Sequence, residues 1–355
     1  MSLLREHLGT CAHWTRDREQ DTPARFFHGR DEAVALTQGS ALLDLTHLAL
    51  VAVNGEQRVE FLSGLITNQI RKVRPDQTIY AALLSPQGRY LWDFTLIEDA
   101  GTFHLVTDPD RVDALAGRLA MYLLRTRAGV TRDAGSRGVL GLVGPGAAAT
   151  LAKTLELPLP EAPPLGWSIP LPGGGVLWQD PRHAAFGWRL SAPREQLPLL
   201  WDRLAATAVP CGLEAWEYYR MAHALPRGGA ELQPDVTLPL EAGLVDLHAI
   251  DFTKGCYVGQ ETTARTHHRG TVKKHLYRLT FAGPSLPAPG TPVLRGEREA
   301  GSVSSVAAGQ DRLLGLAILR DGDVADAAEP LTVAGQPVQV QRPAWATWAD
   351  NPSPP

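Results

Sequence analysis

The densest group of reactive side chains in this chain lies in the segment Lys254-Gly255-Cys256-Tyr257-Val258-Gly259-Gln260-Glu261, which places a thiol, an ammonium group, a phenol, an amide and a carboxylate around two glycines. Glycine accepts a positive φ and close backbone approach, so the segment is predicted to turn sharply and point Cys256 into a cleft. Lys254 lies two residues from the thiol, and a helix opening after the second glycine would bring its positive end to the sulfur. We therefore predict a reactive thiolate, with Cys256 and Lys254 as catalytic residues. The alternative is that Cys256 is a small, buried apolar side chain.

Basic side chains accumulate immediately after this thiol. Between residues 254 and 274 a single acid, Glu261, stands against Lys254, Arg265, Arg269, Lys273 and Lys274. This local excess predicts a mouth that attracts an anionic ligand; the alternative is a solvated basic loop. The net charge of the whole chain is −4, which gives no reason to expect direct nucleic-acid binding.

The motif K-G-C-Y-x-G-Q-E, followed by Ala264-Arg265 and Arg269-Gly270, is similar to the signature of the folate-binding YgfZ family. Members of that family are related to the glycine cleavage system T protein and are associated with iron–sulfur repair and tRNA modification. Partial matches in the same order, between about residues 40 and 280, are Phe61-Leu62 with Thr67-Asn68, Ser85-Pro86-Gln87-Gly88-Arg89 with Asp93, and Leu238-Pro239-Leu240-Glu241-Ala242.

The resemblance implies a tetrahydrofolate-binding accessory protein in the assembly or repair of iron–sulfur proteins, with Cys256 performing a thiol step on an unknown target. The folate-binding residues that it implies are Asp93, Arg89, Tyr257, Gln260, Glu261, Arg265 and Arg269. Two alternatives stay open. One is a folate-dependent aminomethyltransferase or demethylase of the T-protein type, and the other is a non-catalytic interaction module.

Two positions depart from the T-protein pattern. Relatives usually show two consecutive acids where this chain has Trp92-Asp93, which puts aminomethyl transfer in doubt more than folate binding. Relatives also commonly carry a glutamate in Arg-x-Glu-Ala-Gly at the position of Ala222, and either Glu217 or Glu241 is a candidate replacement.

The expected fold class is α+β, a three-domain T-protein-like ring with a ferredoxin-like middle domain and a C-terminal β-barrel. Residues 1–47 plus 136–272 would form a discontinuous folate-binding domain that carries the cysteine motif, 48–135 an inserted domain, 273–345 the barrel and 346–355 a tail. Within 48–135, strands are predicted at 48–53, 79–84, 90–97 and 103–107, with helices capped by Asn54 and Asp108. Residues 1–47 are expected to begin with a helical stretch. After residue 271, five or six short strands favour a small barrel.

Composition limits the remaining possibilities. The three cysteines, Cys11, Cys211 and Cys256, are too few and scattered for a disulfide framework or a four-thiolate cluster, so an iron–sulfur cluster would need ligands from another protein or subunit. No apolar run approaches the ~20 residues of a membrane span. The N-terminal residues lack a signal-peptide core, which predicts a cytoplasmic protein. We expect a monomer with no resident metal, with iron–sulfur clients as candidate partners.

Overall fold

The computed structural model describes residues 4–17, 20–26, 31–270, 272–283, 285–309, 311–326 and 329–348. The chain separates into two compact units. Unit 1 comprises residues 1–81 and 93–216, and unit 2 comprises residues 82–92 and 217–355.

The α-helices of the described residues are α1 (Arg5–Leu8), α2 (Glu32–Gln38), α3 (Arg58–Ser63), α4 (Val112–Leu123), α5 (Ala147–Leu155), α6 (Leu197–Ala205), α7 (Leu213–Ala222), α8 (Gln260–Arg269) and α9 (Asp321–Ala325). The strands are β1 (Ala12–Asp17), β2 (Gln20–Phe26), β3 (Ala41–Asp44), β4 (Ala49–Asn54), β5 (Ile79–Leu84), β6 (Tyr90–Asp99), β7 (Thr102–Thr107), β8 (Gly129–Arg132), β9 (Arg137–Val143), β10 (Ser168–Pro170), β11 (Val176–Gln179), β12 (Trp188–Pro193), β13 (Val209–Cys211), β14 (Lys274–Phe281), β15 (Pro292–Arg295), β16 (Arg298–Ala308), β17 (Leu313–Arg320), β18 (Leu331–Val333) and β19 (Gln336–Gln341).

A five-stranded sheet in the order β5-β6-β7-β4-β8 occupies the region predicted as the inserted domain. Its strands confirm the predicted ones to within two residues, but Asn54 does not cap a helix. Asn54 ends β4, and α3 starts only at Arg58. The later start of α3 has a steric cause. Gly55 has a φ of 96°, and a Cβ there would lie 2.6 Å from the carbonyl oxygen of Arg127. The chain must complete this tight crossing before it can become helical.

Asp108 is followed by a 3-10 turn over Pro109–Arg111, and α4 begins at Val112. Proline occupies the first helical position as predicted, since its fixed φ suits a helix start. The side chain of Asp108 does not donate or accept the predicted capping bond.

A six-stranded sheet in the order β10-β11-β12-β9-β3-β13 forms the second layer of unit 1. Its apolar face packs against α5 and α6 through Leu142, Leu151, Trp201 and Leu204, all at most 2% exposed. The helical start predicted for residues 1–47 is present in the described residues, as α1 and a 3-10 turn over Gly9–Cys11. It is short, because the chain then pairs as the β1–β2 hairpin from Ala12 onward.

The C-terminal strands of unit 2 close into a six-stranded barrel in the order β14-β17-β16-β15-β18-β19. Alternate residues along the strands point inward, and the interior is filled by Leu279, Val293, Val303 and Leu319, each at most 1% exposed. The predicted barrel is therefore confirmed. The last predicted tail residues, 349–355, lie outside the described residues.

An ion cluster ties α7 to the barrel strand β16. Arg220, 1% exposed, donates from Nη1 to Glu231 (3.0 Å) and from Nη2 to Glu217 (2.9 Å) and to the hydroxyl of Ser305 (3.2 Å). Ser305 in turn donates to Glu231. Burial alone would lower the pKa of Arg220, but the two glutamates raise it by more. The guanidinium is therefore a permanently charged centre of this cluster.

Candidate functional site

The loop that carries the cysteine motif alternates between buried and exposed side chains. Lys254 and Tyr257 are 5% and 6% exposed, whereas Cys256 between them is exposed. The Nζ atom of Lys254 lies 5.0 Å from the centre of the Tyr257 ring, a cation–π contact. The two buried side chains anchor the loop from beneath and leave the thiol open to solvent.

Burial also sets the protonation of the two anchors. It lowers the pKa of Lys254 to about 8, although the charge of Asp251 opposes the change. Burial, reinforced by Asp251, raises the pKa of Tyr257 to about 12, so the phenol is neutral at physiological pH. The Tyr257 hydroxyl has no hydrogen-bond partner among the described residues. Lys254, predicted as catalytic, is placed here as a neighbour of Tyr257 and Asp251, and its role towards the thiol stays a prediction.

Helix α8 begins at Gln260, directly after Gly259 at φ 84°, as the motif predicts. Gly259 meets the hairpin turn of residues 85–88, because a Cβ on Gly259 would lie 2.5 Å from the carbonyl oxygen of Ser85. A Cβ on Gly88 would in turn lie 3.1 Å from the carbonyl oxygen of Gly259. The two glycines, Gly88 and Gly259, are 171 residues apart in the sequence (259 − 88), and their backbones are packed against each other.

Alanine at Gly259 should therefore destabilise the loop, by about 1–3 kcal/mol, through both the strained φ and the clash with Ser85. Gly255→Ala is the matched control in the same loop, since a Cβ there meets nothing within 4 Å. Urea unfolding measures the stability of both variants. The rate of Cys256 alkylation measures how accessible the thiol is and therefore whether the loop keeps its conformation. Equal stability of the two variants would show that the glycine contact does not hold the loop.

Arg89 follows this turn and is exposed. Its Nη1 donates to the carbonyl oxygen of Val236 (2.6 Å), and the next residue, Tyr90, exchanges backbone bonds with Asp235 and Thr237 (2.9 Å each). The hairpin tip, the 235–237 segment and the start of α8 therefore form one packed region of unit 2.

The remaining predicted residues of unit 2 lie on α8. Glu261, Arg265 and Arg269 are exposed on it, and Gln260 is half-buried at its first position. The structure therefore brings Cys256, Lys254, Tyr257, Gln260 and Glu261 together on one loop and helix start. The exposed arginines extend along the helix beyond them.

Asp93 belongs to unit 1 and is half-buried in β6. Its carboxylate accepts a hydrogen bond from the Tyr80 hydroxyl (2.8 Å), and its backbone oxygen accepts one from the Thr107 hydroxyl (2.8 Å). Burial, followed by the charge of Asp93, raises the pKa of Tyr80 well above its ordinary value, so Tyr80 is a neutral donor. Tyr80 is thus the hydrogen-bond partner of the Asp93 carboxylate.

Asp93 lines a cavity whose other charged residues sequence reasoning missed. Arg182 donates to both oxygens of Asp180 (2.9 and 2.7 Å), and its guanidinium lies 3.5 Å from the centre of the Phe186 ring. Burial alone would raise the pKa of Asp180, but Arg182 lowers it below its ordinary value. Arg189 lines the same cavity, and burial lowers its pKa to about 10. The available signal was the charged pair Asp180 and Arg182 directly after the apolar strand β11.

This cavity is too small for a pterin. Its volume is about 60 Å³, enough for roughly two waters at ~30 Å³ each and far below the ~300–1,000 Å³ of typical ligand pockets. One wall of the cavity is formed by Arg182, whose guanidinium is paired with Asp180. The residues of unit 1 around Asp93 do not by themselves fit a folate ring.

The position of Ala222 contributes no carboxylate. Its backbone oxygen accepts a bond from Arg278 (2.6 Å). Of the two candidate replacements, Glu217 is engaged by Arg220, while burial raises the pKa of the half-buried Glu241. Glu217 is thus committed to the ion cluster, and Glu241 keeps a larger neutral fraction than an exposed glutamate would.

In the part of the chain that the structure describes, no group of three or more His, Cys, Asp and Glu side chains is arranged to hold a metal ion. None of the helices in those ranges is long and apolar enough to cross a bilayer.

Comparison with known proteins identifies the family to which the chain belongs. Residues 5–252 match the GCVT N-terminal domain, and residues 273–348 match the CAF17 C-terminal beta-barrel domain. The chain is 34% identical over 302 residues to the mitochondrial iron–sulfur cluster assembly factor IBA57 of Mus musculus, covering 77% of this chain and 75% of that protein. The IBA57 of Homo sapiens is 33% identical over 291 residues, covering 76% and 74%.

A solved structure shows the same fold. The glycine cleavage system aminomethyltransferase T from Bartonella henselae matches with a TM-score of 0.82 at 20% identity, over 96% of this chain and 95% of that one. The predicted T-protein-like fold with a C-terminal barrel is confirmed. The domain boundaries predicted from the sequence stay a prediction.

One earlier expectation is overturned by these comparisons. The predicted cytoplasmic location is wrong, because the similar assembly factors are named as mitochondrial. The first residues of a sequence carried too little information to decide a compartment. The relatives are named as assembly factors and not as YgfZ proteins, so the YgfZ assignment and tRNA modification stay predictions. By these matches, the chain belongs to the GCVT N-terminal domain family and carries a CAF17-type C-terminal β-barrel.

Proposed function

We propose that this chain is an iron–sulfur cluster assembly factor in which Cys256 supplies the reacting thiol. The observation that carries the proposal is its similarity to the IBA57 assembly factors, at 33–34% identity over about three quarters of both chains. The structure adds an exposed thiol on a loop that is anchored by Lys254 and Tyr257 and packed through Gly259.

The chemistry of a single thiol defines what it can do. A thiolate is a soft ligand that suits iron, and clusters are normally held by four such ligands. Cys211 is buried, with its pKa raised mainly by burial, and Cys11 lies on a 3-10 turn of unit 1. Cys256 would therefore offer one ligand to a cluster, with the others supplied by a client or partner protein.

The direct test of the assembly role is rescue of a strain that lacks its own assembly factor of this kind. Expression of the wild-type chain should restore the activity of iron–sulfur enzymes while leaving enzymes without clusters unchanged. Normal expression of the chain with no recovery of iron–sulfur enzymes would refute the assembly role.

Tetrahydrofolate binding is the finer part of the proposal. Its support is that the chain belongs to the GCVT N-terminal domain family. The cavity beside Asp93 gives no further support for folate binding. Saturable one-site heat in an anaerobic calorimetric titration with tetrahydrofolate would establish it. Absence of any heat or competition would remove folate from the account and leave the thiol chemistry untouched.

A further inference from the structure

A second cavity of unit 1, of about 390 Å³, lies between the β8–β9 turn and the 46–50 segment. Three arginines line it, namely Arg132, Arg137 and Arg194, together with one acid, Asp133. Its volume is within the ~300–1,000 Å³ range of small-molecule sites. We call it the arginine cavity.

The acid of this cavity is already used by the local backbone. Asp133 accepts hydrogen bonds from the amides of Gly135 (3.0 Å) and Ser136 (2.7 Å) and from the Ser136 hydroxyl (3.0 Å). These bonds fix the turn between β8 and β9 and satisfy the carboxylate. Asp133 is therefore a structural element of the rim and not a free acceptor for a cation.

The three arginines differ in how far they are satisfied. Arg132 is paired outside the cavity, with both oxygens of Asp113 (2.6 and 2.8 Å). Arg137 is paired with Asp99 through Nη2, but its buried Nη1 has no hydrogen-bond partner among the described residues. A buried N–H donor without a hydrogen-bond partner destabilises the folded state unless a water or a ligand accepts a hydrogen bond from it.

The charge of Arg137 is felt by its neighbours. Burial, followed by the charge of Arg137, lowers the pKa of His104, which keeps that imidazole neutral. The Nη1 group of Arg137 is a donor that the pair with Asp99 leaves unused.

Arg194 is the fully available donor. It is exposed and makes no ion pair with any described residue. Its Nη1 lies 3.8 Å from the position of a Cβ on Gly135, so the guanidinium lies against the β8–β9 turn. A planar guanidinium with free N–H groups matches carboxylate and phosphate oxygens in a bidentate geometry.

We propose that the arginine cavity binds a small molecule through a phosphate or carboxylate group, held by Arg194 and by the free Nη1 of Arg137. The residues of this site belong to unit 1 and Cys256 belongs to unit 2, and the proposal does not rest on the assembly role. Asp99, Asp113 and Asp133 together balance the charges of the three arginines, so binding depends on the N–H groups that have no partner and not on a net positive charge.

The test is calorimetric titration of the full chain with two probes, inorganic pyrophosphate and citrate, at low ionic strength. At least one should bind saturably with one site and a Kd below about 1 mM. Arg194→Gln should weaken that binding roughly tenfold or more, since a charge-assisted pair is lost. Binding of pyrophosphate alone assigns a phosphate ligand, and binding of citrate alone assigns a carboxylate.

Arg125→Gln is the matched control, because Arg125 is an exposed arginine of the same unit that lines a different cavity. It should leave the Kd unchanged, as should Cys256→Ala. No saturable binding of either probe, or equal weakening by Arg125→Gln, would overturn the site.

Discussion

Replacing Arg220 by methionine is expected to lower the free energy of unfolding by about 3–5 kcal/mol, because removing one partner of a buried ion cluster leaves uncompensated charges. Glu231 is 1% exposed and would lose its guanidinium partner in the variant, whereas Glu217 would keep only the longer contact with Arg227 (3.4 Å). The connection from α7 to Ser305 of the barrel would be lost as well. Urea unfolding followed by tryptophan fluorescence measures the loss.

Arg74→Met is the matched control for the loss of an ion pair. Arg74 pairs with Asp76 at 3.0 Å, but both side chains are more than 60% exposed, so the loss should be below about 1 kcal/mol. If Arg220→Met fails to fold, Ser305→Ala should still cost roughly 1–3 kcal/mol, since it removes a buried partner of Glu231. A stable Arg220→Met variant with an unchanged midpoint would contradict the role given to the cluster.

Cys256→Ala is expected to abolish support of iron–sulfur enzymes while changing the free energy of unfolding by no more than about 0.5 kcal/mol. The side chain is exposed, so its removal opens no cavity, and the loop keeps its anchors at Lys254 and Tyr257. Circular dichroism and urea unfolding check the fold, and cluster-dependent enzyme activity in a deletion strain checks the function. Cys11→Ala is the matched control, because it removes the other exposed thiol.

Much of the fold followed from local patterns. The four predicted strands of the five-stranded sheet are short, largely apolar runs bounded by turn residues, which is why their bounds hold to within two residues. Helix starts were less predictable. Asparagine is a common helix-capping residue, so Asn54 was a reasonable candidate. The helix starts later because the backbone of Gly55 packs against Arg127, and a contact between residues so far apart in the chain cannot be predicted from the local sequence.

The candidate site was predictable where one segment carries it. The motif around Cys256 indicated the turn at Gly259 and the helix that follows, and both are present. The partners of that segment were not predictable, because the contact of Gly259 with Ser85 joins residues far apart in the chain. The same holds for Tyr80 as the partner of Asp93 and for Arg182 as the cation in that cavity, since pairing depends on which strands become neighbours.

If Cys256 performs the chemistry of an assembly factor, the two exposed thiols must differ in function. Iron–sulfur enzyme activity is measured in a deletion strain that expresses the wild-type chain, Cys256→Ala or Cys11→Ala at equal protein levels. We expect recovery with the wild type and with Cys11→Ala, and none with Cys256→Ala. Full recovery with Cys256→Ala would refute a chemical role of this thiol.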